Sequence, residues 1–226
     1  MSKSQKQLSV CLAVLATSVG AMGADWVYYD GTGSPKLNGS GNQLYVTSTT
    51  EIGDRIQLGN ATQNGSIDYS TWQYGVTKFQ FEYYATGVTT GSPISAKVNL
   101  YNGNPSGSAA WSSASFSLKN GYNSVTIEDA GNQFATVSGQ TTWSVSFGAL
   151  AAGQSFGLLM NGDPTIGANG VGYWGKTGTG WESYLIDGGA TPANFSARVT
   201  AVPEPSTISL GLLALGALGY AGFRRR

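Results

Sequence analysis

The chain has 226 residues with 12 Lys+Arg against 12 Asp+Glu, and only 11% of it is charged, less than half the ~25% usual in soluble domains. It has no histidine and a single cysteine, Cys11, so a Ser-His-Asp triad, a Cys-His pair and any histidine metal site are excluded for want of the base or ligand. With no excess of Lys and Arg to neutralise phosphates, a strongly basic nucleic-acid binder is excluded as well.

The neutral total is the sum of three unlike segments. Residues 1–24 carry Lys3 and Lys6 and no acid, residues 25–202 hold 7 basic and 11 acidic residues, and residues 203–226 set Arg224, Arg225 and Arg226 against Glu204. In the first segment the lysines are followed by a short apolar core, Leu8 to Val19. Small residues come next, at Ala21-Met22-Gly23 or Met22-Gly23-Ala24. This order of charge, apolar core and small residues is that of a secretory signal peptide: a signal helix that enters the general secretion machinery and is cut by signal peptidase near Asp25. Cys11 is unsuited to lipidation, because Val10 precedes it where a small residue is needed and a cut there would halve the apolar core. Its removal leaves a mature chain without cysteine, an exported domain not built on disulfides.

Residues 25–202 read as one β domain. In Val76–Tyr84, Phe79, Phe81 and Tyr83 alternate with Gln80 and Glu82, so one face of a strand is apolar and the other polar. Similar runs stand at Leu44–Thr47, Arg55–Leu58, Ala96–Leu100, Ser115–Leu118, Ser124–Ile127, Thr142–Phe147, Phe156–Met160, Trp181–Ile186 and Asn194–Thr200. Turn-forming clusters such as Asn102-Gly103-Asn104-Pro105 bound them, and no amphipathic helix of useful length lies between. Short strands at this spacing predict an antiparallel β-sandwich, jelly-roll-like, and a Gly-rich solenoid lacks the fixed repeat it would require.

The chemistry available to this body is narrow. Glycoside hydrolysis needs two carboxylates roughly 5 to 9 Å apart. Glu51 and Asp54 flank Gly53 near a strand start, Glu82 is alone on its strand, and Glu128 and Asp129 are adjacent, so they point to opposite faces. These are expected to be solvated surface acids, with no catalytic residue among them and an enzyme only a distant third reading. Asp25, Asp30, Asp129, Asp163 and Asp187 lie near Gly or Asn, which leaves room for a structural calcium ion; no recognised metal loop is present and no other cofactor is expected.

Aromatic residues offer more. Their faces can stack on the C–H-rich surfaces of sugar rings. Trp72 and Tyr74 are two apart and are expected to share a strand face, while Tyr173-Trp174 and Trp181, separated by the Gly-rich stretch 175–180, are expected to form a loop-side platform. Trp72, Tyr173, Trp174 and Trp181 are thus the candidate sugar contacts; Trp143, in Thr-Trp-Ser-Val-Ser-Phe, is expected in the core.

At the other end, Val202-Pro203-Glu204-Pro205-Ser206-Thr207 is expected to interrupt the chain, since two prolines in three residues continue neither strand nor helix. Ile208 to Phe223 follows without a charge, and then Arg224-Arg225-Arg226. The arginines hold the tail on the cytoplasmic side of the inner membrane, and the 16-residue run spans about 24 Å as a helix, short of the ~30 Å hydrocarbon core. This arrangement of a Pro-Glu-Pro motif, a short hydrophobic helix and a terminal arginine cluster resembles the PEP-CTERM sorting signal of Gram-negative bacteria. The resemblance covers about 25 of the 226 residues. It implies that Val202, Pro203, Glu204, Pro205 and Ser206 form a recognition motif for exosortase, a membrane enzyme, and that Arg224, Arg225 and Arg226 act as a membrane stop. It also implies an inner-membrane precursor with its body in the periplasm, then delivery to the cell surface or outside, commonly in producers of extracellular polysaccharide. Two classes of function follow for the body: a structural surface or matrix protein associated with that polysaccharide, or a carbohydrate-binding module.

Overall fold

The computed structural model describes residues 26–38, 40–47, 50–59, 72–129 and 132–203. The expected signal helix, Asp25, the C-terminal helix, Glu204, Pro205, Ser206 and the three terminal arginines lie outside the described residues. In chain order the first strands are β1 (Trp26–Asp30), β2 (Tyr45–Thr47), β3 (Glu51–Gln57), β4 (Gln73–Thr86), β5 (Ser95–Asn102), β6 (Trp111–Ser112) and β7 (Phe116–Ser117). They are followed by β8 (Gly121–Glu128), β9 (Ala135–Ser138), β10 (Gln140–Phe147), β11 (Ser155–Leu159), β12 (Ala168–Thr177), β13 (Gly180–Tyr184) and β14 (Ala197–Pro203). Among the described residues the one helical element is a 3-10 turn at Asp187–Gly189.

All pairings between these strands are antiparallel and fall into two sheets. The first is organised around β4. On one side β14 and β11 lie end to end along it, with β1 beyond β14 and β2 beyond β11; on the other side β9 and β8 lie end to end. The second sheet runs β13-β12-β3-β10-β5, with β6 and β7 pairing the far side of β5. The chain passes repeatedly from one sheet to the other, so neighbours in sequence are rarely neighbours in a sheet.

The alternation read at 76–84 sets the packing. Phe79, Phe81 and Tyr83 are buried on the inner face of β4, while Gln80, Glu82 and Tyr84 are half-exposed on the outer face. Trp143 and Val145 of β10 meet them from the second sheet: the Trp143 ring lies 5.4 Å from Phe79 and 5.9 Å from Phe81. Each such side chain, fully removed from water, contributes about 1.5–3 kcal/mol, and the shared aromatic layer is what holds the sheets face to face.

Several features differ from the sequence expectation. β1, β6, β9 and β12 were not marked by alternation: β12 carries Gly170, Gly172 and Gly175 and lies toward the sheet edge, so it has little apolar pattern to show. The Gly-rich stretch 175–180 is not a loop but the tip of the β12–β13 hairpin, with Lys176 opposite Trp181 and the Thr177 hydroxyl donating to the Gly180 carbonyl at 3.1 Å. The chain is also not interrupted at Val202. Strand β14 continues through Val202, opposite Gly75, to Pro203, opposite Tyr74. A proline is tolerated there because it is the strand's last residue, where one absent N–H costs the ladder little.

Candidate functional site

Register decides which side chains share the outer face of the second sheet. In β12 and β13, Trp174 is opposite Ser183 and Lys176 opposite Trp181, so Trp174, Lys176 and Trp181 project to one side. Across β3, Lys176 is level with Glu51 and Trp174 with Gly53, and across β10 these are level with Ser146 and Ser144. Asn99 and Tyr101 of β5 complete the row. Gly53 is demanded by the backbone: a Cβ there would stand 2.2 Å from the Trp143 carbonyl oxygen. No side chain therefore separates Trp174 from Ser144.

Glu51 lies at the centre of this face yet is only 3% exposed. Its Oε1 accepts hydrogen bonds from Ser144 Oγ at 2.6 Å, Asn99 Nδ2 at 2.7 Å and the Tyr101 hydroxyl at 3.1 Å, and its Oε2 lies 3.1 Å from Lys176 Nζ. The Lys176 ammonium also stands 5.7 Å from the Trp181 ring centroid, and that ring meets Tyr101 edge-on at 5.7 Å. Burial, followed by the charge of Glu51 and the bond to it, holds the Tyr101 hydroxyl well above the usual phenol range, so Tyr101 remains a donor. The result is a carboxylate sealed under a lysine and two aromatic rings, with half-buried Trp174 and Trp181 along the rim.

Asp54 is three residues on and points the other way, into the core, where it is fully buried. Its Oδ2 accepts the Phe195 N–H at 3.3 Å. Burial pushes the Asp54 carboxyl well above the usual carboxylate range, a rise only partly offset by hydrogen bonds from the Phe195 and Arg55 amides and by the Arg55 charge. The expectation that Glu51 and Asp54 are solvated surface acids is thus corrected. β3 lies inside the second sheet between β10 and β12, and neither face at these positions reaches water. Other described acids have local partners: Glu128 pairs with Lys78 at 2.9 Å, and Glu82 accepts a hydrogen bond from the Ser196 hydroxyl. Asp30 lies 3.6 Å from Arg198, Asp163 accepts from Asn194 Nδ2 at 3.0 Å, and Asp187 accepts from the Thr191 hydroxyl at 3.1 Å. Among the described residues, no three acidic side chains converge as a metal-binding group would require.

Of the four aromatic candidates, the structure brings two together. Trp174 and Trp181 share the outer face. Tyr173, adjacent to Trp174, turns inward, its ring 5.8 Å from Phe195 and 5.4 Å from Tyr184. Trp72 belongs to the other sheet, just ahead of β4, and its strand companion Tyr74 is buried rather than exposed beside it. Glu51, Lys176 and Tyr101 were missed as site residues, and only the alternation of polar residues in β5 and β10 hinted at an outward polar row.

The sorting end has its own geometry. β14 is held between β4 and β1, with Ala201 opposite both Val76 and Trp26, and Ala201 is completely buried. The Pro-Glu-Pro motif therefore starts inside the sheet. Residues 201–226 match the family model of the PEP-CTERM protein-sorting motif. No curated protein and no solved structure matches the chain. The chain thus carries a PEP-CTERM motif, which marks an exported protein processed by an exosortase by way of a membrane-anchored precursor.

Proposed function

We propose that the body is a structural protein of the cell surface or extracellular matrix, associated with the extracellular polysaccharide of its producer. On this reading residues 1–24 are removed by signal peptidase. Residues 208–223 hold the precursor in the inner membrane, and the arginines remain on the cytoplasmic side until exosortase acts near Pro203–Thr207. The body, a sandwich of jelly-roll-like crossing pattern, then reaches the surface. Polysaccharide association rests on one observation: Trp174, Trp181 and Lys176 stand on one outward face around the sealed Glu51 carboxylate. Indole faces supply stacking area and the lysine supplies a donor, the combination that suits a hydroxyl-rich chain better than an apolar ligand.

The same geometry favours a second reading, a carbohydrate-binding module in which that face is the principal function. We place catalysis outside both. Glu51 and Asp54 occupy opposite faces of β3, and both Glu51 oxygens are already engaged, so neither acid is placed to share a glycosidic bond with the other. Retention of the purified protein on the producer's polysaccharide tests the reading. Binding that Trp181→Ala weakens supports it. No retention at all, or release of reducing ends by the unmodified protein, refutes it.

A further inference from the structure

The register of the first sheet places the exit of the chain and two exposed tryptophans at the same end of the sandwich. Pro203 is level with Tyr74, and Trp72 lies two residues beyond Tyr74 in the direction the chain leaves, about 7 Å further at the rise of a strand. Trp26 begins β1 on the other side of β14, level with Ala201. Both indoles are well exposed, Trp26 at 64% and Trp72 at 42%, whereas Tyr74, Val76 and Phe79 further in are buried.

The second sheet ends at the same level. Gly139 alone joins β9 to β10; its N–H donates to the Trp72 carbonyl and its carbonyl accepts from Leu58. Gln57 is opposite Gln140, and Asn102 is opposite Thr141. The described residues 57–59, 72–73, 102–108 and 138–140 at this end include no charged side chain, and the acids next to them in the sequence, Asp25, Asp68 and Glu204, lie outside the described residues. Among the described residues Arg55 reaches it, donating from Nη1 to Asn104 Oδ1 at 3.3 Å. Two exposed indoles and a guanidinium near the chain exit match the polar–apolar boundary of a bilayer, where tryptophan concentrates and basic side chains meet anionic headgroups.

The length of chain beyond Pro203 decides how close that boundary must be. Four residues, 204–207, separate Pro203 from the apolar run that starts at Ile208, and the five steps between them reach no more than about 18 Å even fully extended. Trp72 already covers about 7 Å of that distance, and the headgroup layer occupies roughly 5–7 Å on each side of the hydrocarbon. The apolar run is itself short of the hydrocarbon thickness, which draws the flanking residues inward rather than letting them pay out.

We infer that Trp72 rests in the headgroup layer of the precursor's membrane, with Trp26 about 13 Å behind it, and seats the sandwich end-on, with Pro203 held at a set height for a membrane enzyme. This rests on the reading of residues 208–223 as the precursor's membrane segment. The occupant of this end is the lipid surface, and Trp72 is assigned to it rather than to sugar.

The test uses the full chain reconstituted into phosphatidylcholine–phosphatidylglycerol vesicles, some containing phosphatidylcholine brominated close to the headgroup. Flotation with the vesicles first establishes membrane attachment separately. Tryptophan quenching by the brominated lipid is then compared for the unmodified chain, W72F, W26F and W181F, with circular dichroism confirming the fold of each. We expect lipid quenching to fall roughly twofold in W72F, less in W26F and not at all in W181F. A chain that floats but is quenched equally with and without Trp72 overturns the proposal while leaving the membrane segment intact. A loss confined to W181F overturns it too, since the second sheet's outer face would then be the lipid contact. A chain that does not float removes the premise and the proposal together.

Discussion

Trp143 lies directly opposite Asp54 in the pairing of β10 with β3, and each buries a polar atom, the indole Nε1 and the carboxyl Oδ1, with no hydrogen-bond partner among the described residues. Two unsatisfied groups facing each other inside an aromatic layer are a local cost that the surrounding packing must outweigh. The stronger consequence concerns protons.

Because burial raises the Asp54 carboxyl, the folded chain holds that proton more tightly than the unfolded chain, whose aspartates ionise near ~3.9. The stabilisation linked to this proton is fully present below the unfolded value and is lost as pH rises through the folded one. Denaturant titrations at successive pH values should show Asp54→Asn gaining on the unmodified protein steadily from about pH 4 upward. A constant difference between the two would mean that Asp54 carries its charge in the folded state at no cost.

Substitutions of Glu51 should destabilise the fold. Glu51→Ala strands the buried donors of Asn99, Tyr101 and Ser144, and should cost about 3 kcal/mol or more in chemical denaturation. Glu51→Gln keeps one acceptor oxygen and loses only the half-exposed Lys176 pairing, so about 1 kcal/mol is expected. Equal effects would show that the charge, and not the three accepted hydrogen bonds, is what the fold uses.

Trp174→Ala and Trp181→Ala should separate binding from packing. Removal of one stacked ring should weaken retention on polysaccharide by about 1 kcal/mol, a several-fold effect on affinity. Trp181 also covers Tyr101, so thermal melts must accompany the binding measurement; a large fall in melting temperature with unaltered retention assigns Trp181 to packing alone.

Processing should leave the body whole. Ala201 is buried and paired on both sides, so a cut before it would open the first sheet. C-terminal peptide mapping of the mature protein should find an end at or beyond Pro203 and no Arg226. Replacing Pro203 and Pro205 by alanine should leave the full-length precursor in the inner membrane; equal processing of both forms would remove the motif's role.

Much of this architecture could be read directly from residue order. The Phe79, Phe81 and Tyr83 alternation gives β4 and its inner face, and the sorting motif is contiguous. The site could not be read in the same way. Glu51 takes its partners from β5, β10 and β12, which are distant in sequence, and a carboxylate beside Gly53 has the local appearance of a loop acid. The pairing of Tyr173 and Trp174 failed for a simpler reason: adjacent residues on a strand face opposite sides, and the glycines around them concealed that they were on a strand at all.

The place of β14 has a kinetic side. β1 is the first of the described strands, yet among them it pairs within its sheet only with β14, the last. Half of the β4 flank stays open for the same reason. The contacts that close this sheet span nearly the whole body, the kind of long-range closure that slows folding. Until β14 is in place the first sheet is unfinished, with bare strand edges open to proteases and to neighbouring copies. If residues 208–223 hold the precursor in the membrane as proposed, completion of the fold and arrest there coincide.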